Sequence, residues 1–407
     1  MLNKDTLIVL VAPNVTEQMG GEGIKALQIF QEIAKLHPNT IQITHERNRK
    51  ELYDRLKLTG VYYVCDTKFA LFLWHSRVFS KLLDPWFCHK AVRMAEAIAK
   101  ERGLTGSSVI IHQTEPNSPV IPRTISKRHA NVFGPINGNI HYPPIFHRNE
   151  NLSDRLRRIL HMPVQRLSRF LFRGLTKADF ILYAGGARTK DSLLAAGCSP
   201  DILIETFDCG IKDDILALPR VQHRGGNNRF VHYGRTFYKG TFLVIESLTK
   251  TKGAVCVDII GRGPELERCQ RLVREFGLAA RVRFLGWFEH KDMLDSFQQY
   301  RGALLPSLQD SNGILVQEAM AVGLPMICIN WGGPQLLVEN QVTGYLVEPV
   351  SKNYIVTKMA EHLDQLSIDG ELAEGMSIAA RAKAETWRWS RVAGDWINLY
   401  ARLPFVR

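Results

Sequence analysis

The chain has 407 residues, 45% of them hydrophobic and 23% charged, which is ordinary for a globular protein and gives enough apolar material for two separate cores. Lysine and arginine outnumber acidic residues 52 to 40, a formal charge of +12, which fits either an anionic partner such as phosphate or anionic lipid or a basic surface with no specific partner. No recognised nucleic-acid-binding motif accompanies the charge, so nucleic acid is not expected.

The opening MLNKDTLIVLVAP reads as a first buried strand rather than a signal peptide. Its apolar run is short, Lys4 is balanced by Asp5, and no small-x-small cleavage site follows. Short β-branched runs then alternate with helical patterns, the signature of βαβ units and a parallel sheet. In the first half the expected strands are 6–12, 40–45, 61–66, 107–113, 130–136 and 179–184. In the second half they are 229–234, 254–261, 281–286, 302–307, 325–330 and 343–349. Near-continuous apolar strands of this kind belong to sheets covered on both faces. The rhythm restarts near FDCGIKDDI, which divides the chain into 1–207 and 208–385. Residues 386–407 read as a terminal helix whose Trp387, Trp389, Val392, Trp396, Leu399 and Tyr400 form an apolar face that must dock, with the first domain as the expected surface. No run reaches the roughly 18–20 apolar residues of a membrane span. The seven cysteines include no Cys-x-x-Cys pair, which argues against zinc ribbons and for reduced thiols in the cytosol.

In the first domain a Gly-rich loop precedes a helix at APNVTEQMGGEGIKALQIF, making Gly20 and Gly21 candidate ligand contacts. Gly21-x-Gly23-x-x-Ala26 also resembles a dinucleotide fingerprint, with Glu46 further on, but Pro13 to Gly20 separate it from the strand. His112 ends a strand in IIHQTEPNSP, and Asn137, Asn139 and His141 lie in a Gly- and Pro-rich loop; each is a candidate contact or a structural residue. Residues 68–102 and 152–177 mix apolar side chains with a basic excess. Two readings stand for them: a surface resting on anionic lipid, or core packing with solvated charges.

The second domain carries four features in order. HYGRTFYKG places Arg235 and Lys239 just past a strand, where cations can hold phosphate. DIIGRGPELERCQ is strand, Gly-x-Gly and helix, with Gly261 allowing close approach of a ligand to the backbone. PSLQDSNGILVQEAMAVGLP starts a helix near Gly313, whose amides can bind a diphosphate. There Asp310 and Glu318 can take sugar and ribose hydroxyls, although Asp310 also reads as a cap. NWGGPQLLVENQVTGYLVEP adds paired glycines after a strand.

As a set these motifs resemble the retaining nucleotide-sugar glycosyltransferases of family 4. The resemblance implies the GT-B fold, in which two doubly wound Rossmann-like α/β domains face each other across a cleft. It implies that Arg235 and Lys239 bind the donor diphosphate and that Asp310 contacts the donor sugar. Ser311, Asn312, Gly313, Ile314 and Leu315 would hold sugar and phosphate, Glu318 the ribose, and Gly286 and Trp287 would lie beside the base. Many family members place a histidine that contacts the sugar after the strand that here runs into Gly134-Pro135; Asn137, Asn139 and His141 are the nearby substitutes, and His112 ends another strand at the cleft edge. Asp310 departs from the family's Glu, the Arg235-to-Lys239 spacing is one residue short, and Gln335 stands where Glu is frequent.

The resulting expectation is a retaining hexosyltransferase that moves a sugar from a nucleoside-diphosphate donor to a glycan or lipid-linked acceptor. It would serve bacterial surface-polysaccharide or glycolipid synthesis, in the cytoplasm or peripherally at the inner face of the membrane. No Asp-x-Asp is present, so neither a metal nor a cofactor is expected. A sugar-nucleotide epimerase of the same fold, a binding module without turnover, and an NAD-dependent oxidoreductase are the alternatives.

Overall fold

The computed structural model describes residues 2–17, 21–76, 79–223, 227–234 and 236–403, with the Ser107 side chain outside that set. It divides into two compact units. Unit 1 holds residues 1–139, 157–210 and 389–407, and unit 2 holds 140–156 and 211–388. The chain passes into unit 2 at 211 and also enters it earlier, at 140–156.

Unit 1 is built on a seven-stranded parallel sheet. Its strands are β1 (Leu7–Val11), β2 (Thr40–His45), β3 (Val61–Val64), β4 (Val109–Gln113), β5 (Ala130–Ile136), β6 (Phe180–Tyr183) and β7 (Leu203–Glu205), in the order β3-β2-β1-β4-β5-β6-β7. The helices are α1 (Gly21–Leu36), α2 (Lys68–His75), α3 (Leu83–Glu101), α4 (Leu152–Leu171), whose residues 152–156 fall in unit 2, and α5 (Gly186–Ala195). Every residue of β1 is buried, because Leu7, Val9 and Val11 alternate with Ile8 and Leu10 across two covered faces. Six strands fall where the sequence put them. β7 escaped notice because it is three residues long and follows a Ser199-Pro200 turn.

Unit 2 is a six-stranded parallel sheet of β8 (Arg229–Tyr233), β9 (Cys256–Ile260), β10 (Val282–Gly286), β11 (Gly302–Leu305), β12 (Met326–Ile329) and β13 (Gly344–Val347), ordered β10-β9-β8-β11-β12-β13. Its helices are α6 (Asp213–Ala217), α7 (Thr241–Leu248), α8 (Leu266–Glu275), α9 (His290–Ser296), α10 (Ile314–Ala321), α11 (Pro334–Leu337), α12 (Lys352–Ile368) and α13 (Gly370–Glu385). Alternate residues of one strand feed opposite cores: Phe230 packs with Val257, Leu304 and Ile327, while Val231 and Tyr233 pack with Leu305 and Met326. In both sheets the strand order reverses, between β1 and β4 and between β8 and β11. Open α/β sheets bind ligands outside the carboxyl ends of the strands at such a reversal.

The last segment carries a helix that starts a few residues later than the sequence reading put it. α13 ends at Glu385, Trp387 is buried in unit 2, and α14 (Trp389–Tyr400) lies in unit 1. There Trp396 donates its indole N–H to the Thr206 hydroxyl at 2.9 Å, and α14 packs on α1. Among the described residues no helix is long and apolar enough to cross a membrane.

Candidate functional site

The reversal point of unit 2 gathers residues from three elements. β8 ends at Tyr233 and Gly234 follows in the left-handed region, φ +128°. A Cβ there would stand 2.7 Å from the Lys239 stem, so glycine is what lets Lys239 fold back over the strand end. The Lys239 ammonium then reaches Asp310 Oδ2 at 2.7 Å, past the end of β11. The other oxygen, Oδ1, accepts the Gly313 N–H at 3.1 Å. One carboxylate thus ties the cation of the β8 turn to the start of α10, an arrangement that fits both readings of Asp310, cap and contact.

Below this point β8 is anchored by a neutral histidine. His232 is fully buried, hydrogen-bonds the Leu304 carbonyl and the Thr241 hydroxyl at 2.9 Å each, and is pushed down to about 4 by desolvation.

The paired glycines explain themselves sterically. Gly333 donates its N–H to the Asp310 carbonyl at 2.7 Å, and a Cβ on Gly332, φ +70°, would lie 2.4 Å from the same oxygen. The loop carrying Asp310, Ser311 and Asn312 packs directly on that backbone. Gly313 then starts α10 in the left-handed conformation, and the first intrahelical donors are Val316 and Gln317, both to Gly313. The amides of Ile314 and Leu315 precede them, at the positive end of the helix dipole.

Glu318 sits one turn further, 8% exposed, where an unpaired carboxylate would be costly. Its partner is His290 at the start of α9, with Nε2 at 2.7 Å from Oε1. That hydrogen bond raises the His290 pKa against the opposing effect of desolvation. His290 was not legible in the sequence, because no spacing rule connects the first residue of one helix to the second turn of another. Gly261 follows β9 and abuts Gly234, and Trp287 follows β10 with 58% of its surface exposed. Lys239, Gly261, Asp310 to Leu315 and Glu318 therefore line the carboxyl edge of one sheet, with Trp287 beyond the neighbouring strand. Arg235 and Gly20 lie outside the described residues.

His112 does not fit the role expected of it. It is fully buried; Nε2–H donates to the Gly134 carbonyl at 2.7 Å, and Nδ1 accepts from the Tyr400 hydroxyl at 2.6 Å. Burial pushes its pKa down to about 3. Both nitrogens are committed, so this side chain fastens α14 to the sheet and reaches no ligand. The dinucleotide reading also loses its geometry: α1 begins at Gly21, which places Gly23 inside the helix rather than in the turn that closes the strand.

Unit 1 holds a polar cluster of its own at the carboxyl edge. The Lys25 ammonium, 3% exposed, meets Asp208 at 2.9 Å. Desolvation opposes its charge, yet Asp208, Glu115 and Cys209 together outweigh it and the lysine pKa rises. Glu115, 1% exposed, is pushed up to about 8 by burial, with Lys25 pulling the other way. Asn117 donates to Glu22 at 3.0 Å, and Asn137 donates to Asp208 at 3.3 Å. Sequence reasoning passed over Lys25, Glu115 and Asp208, because the residues are brought together only by the sheet order.

With this geometry in view, comparison with known proteins is specific. Residues 217–383 match the family model described as Glycosyl transferases group 1. The match lies wholly within unit 2 and contains Lys239, Gly261, His290, Asp310 to Leu315 and Glu318, but none of the unit 1 cluster. A D-inositol 3-phosphate glycosyltransferase of Corynebacterium jeikeium (strain K411) is 30% identical over 142 residues, 35% of this chain and 33% of that protein. A GDP-mannose-dependent alpha-(1-6)-phosphatidylinositol monomannoside mannosyltransferase of Mycobacterium tuberculosis (strain CDC 1551 / Oshkosh) is 27% identical over 201 residues, 47% and 48% of the two chains. The chain thus spans a third to a half of the length of these relatives. The crystal structure of Anabaena HepE in complex with UDP superposes with a TM-score of 0.62 at 15% identity, covering 97% of this chain and 99% of that one. The fold is therefore α/β of the GT-B class, with two Rossmann-like domains.

Proposed function

We propose that the protein is a metal-independent glycosyltransferase that moves a sugar from a nucleoside-diphosphate donor to an acceptor hydroxyl with retention of configuration. The observation that carries this is the meeting of Lys239, Asp310 and the start of α10 at the strand reversal of unit 2. Charge develops on the diphosphate as the glycosidic bond breaks. The Lys239 ammonium and the α10 amides are fixed donors for that charge before the reaction begins. Asp310 holds Lys239 and Gly313 in register and presents its carboxylate to the sugar hydroxyls. Glu318 exchanges or shares His290 for the vicinal hydroxyls of the ribose. Arg235 is assigned to the same diphosphate, and Trp287 to the base.

The acceptor is assigned to unit 1, where Lys25, Glu115, Asn117 and Asp208 offer polar groups at the carboxyl edge. A glycan or lipid-linked acceptor in bacterial surface-glycan or glycolipid synthesis is supported by a relative whose name specifies a phosphatidylinositol monomannoside. Work at the cytoplasmic face of an anionic membrane belongs to the same reading.

A thermal-shift panel of UDP-, GDP- and ADP-sugars identifies the donor as the one that raises Tm. With that donor, turnover is expected to be undiminished in EDTA and to require an acceptor. Loss of activity in EDTA with recovery on adding Mn²⁺ would overturn metal independence, and isomerised donor without acceptor would make the enzyme an epimerase.

A further inference from the structure

α4 is built inside out. In α1 and α3 the apolar stripe faces the sheet, with Ala26, Leu27, Phe30 and Ile33 buried in one and Phe87, Ala91, Val92 and Ala95 in the other. In α4 the buried residues are His161, Gln165 and Ser168. They dock the helix through polar contacts: His161 Nε2 lies 2.8 Å from the Ser192 hydroxyl, and Gln165 donates to the Pro119 carbonyl at 2.8 Å. The apolar residues Leu152, Leu156, Ile159, Leu160, Leu167 and Phe170 recur at three- and four-residue spacing on the opposite face and are all exposed, Leu152 by 73% and Phe170 by 69%. Arginines border this stripe on both sides, Arg155 and Arg166 along one edge and Arg157 along the other.

We infer that this face of α4 is the element by which the enzyme lies on an anionic phospholipid surface. The inference rests on the membrane reading given above and assigns it to one helix. An apolar stripe edged with cations suits a helix in the plane of the interface, its leucines among the acyl chains and its arginines at the depth of the phosphates. A second copy of the chain fits less well. A two-fold contact between such stripes would set arginine borders against each other, whereas a bilayer carrying negative charge answers both edges at once. The polar docking face has the complementary purpose: it holds the helix to the sheet without using any of its apolar surface.

Co-sedimentation of the full chain with vesicles of phosphatidylcholine, alone or mixed with phosphatidylglycerol, tests this. Binding is expected only with phosphatidylglycerol and should weaken as salt rises. The variant Leu160→Glu/Leu167→Glu/Phe170→Glu changes only exposed residues. It should keep the wild-type circular dichroism and bind at least about tenfold more weakly. A control variant, Phe72→Glu/Trp74→Glu, alters the exposed aromatic residues of α2 and should bind as the wild type does. Retained binding in the α4 variant with loss in the α2 variant would overturn the assignment to α4 and leave membrane attachment standing. No binding by the wild-type chain to either vesicle would overturn both. Light scattering that finds a wild-type dimer and a monomeric α4 variant would make the face a self-association surface and overturn the proposal.

Discussion

At the residue scale, the candidate site is organised by one short acidic side chain. Asp310 bonds Lys239 with one oxygen and the Gly313 amide with the other, so an amide in its place keeps the loop but releases the cation. Asp310→Asn should therefore melt within a few degrees of the wild type and lower kcat/KM by about 10- to 100-fold, one charge-assisted contact being worth roughly 1.5–3 kcal/mol. Lys239→Ala and Glu318→Ala should lose most activity with the fold intact by circular dichroism; near-wild-type rates in both would remove the site from unit 2. His112 makes the opposite prediction. His112→Ala leaves the Tyr400 hydroxyl and the Gly134 carbonyl without a partner, at a cost of about 1–3 kcal/mol in urea unfolding. Turnover per folded molecule should be unchanged, and a large drop in kcat without loss of stability would restore a catalytic role.

At the element scale, what mattered was which face of each helix turns inward and how closely loops approach. The motif at Gly332-Gly333 was readable as a turn, but its purpose is contact: the Gly332 Cα sits where any Cβ would strike the Asp310 carbonyl. Gly332→Ala should move the 310–313 loop and so raise KM for the donor more than it lowers Tm, as donor titration followed by calorimetry would show. For α4 the sequence showed a basic helical stretch at 152–177 and left open whether it rests on lipid or packs in the core. A hydrophobic stripe is by default assigned to the core, and nothing local reveals that the polar stripe has partners waiting in Ser192 and the Pro119 carbonyl.

At the scale of the whole molecule, ionisable groups that are paired or buried set how stability varies with pH. Glu374 is held down to about 2 by Arg220 and the His223 amide, so its contribution is present above its unfolded pKa near 4.5 and lost as pH falls toward 2. His112 and His232, buried neutral at about 3 and about 4, add to the same acid side. Unfolding lets them take up protons at pH near 6.5, so they destabilise the fold as pH drops below that value. Glu115 acts in reverse. Its raised pKa favours the folded state most below pH 4.5, and that contribution is lost as pH rises through about 8. Glu115→Gln should therefore flatten the fall of Tm between pH 5 and 8 while leaving the acid limb as it was. A profile identical to that of the wild type would show that Glu115 ionises normally.

Alternation of apolar strands with helical patterns was enough to establish two parallel-sheet domains, because strands buried on both faces must be apolar throughout and helices covering them must not be. The ordered motifs from Gly234 to Val347 placed Lys239, Asp310, Gly313 and Glu318 in one domain for a similar reason: backbone turns at strand ends demand glycine, and those demands are visible one residue at a time. Only the tertiary structure decided the rest. His290 beside Glu318, Lys25 and Glu115 near Asp208, the burial of His112 beneath Tyr400, and the outward apolar face of α4 all depend on strand order and helix docking. These set contacts between residues far apart in the chain, and local sequence carries no record of which distant partner a side chain will meet.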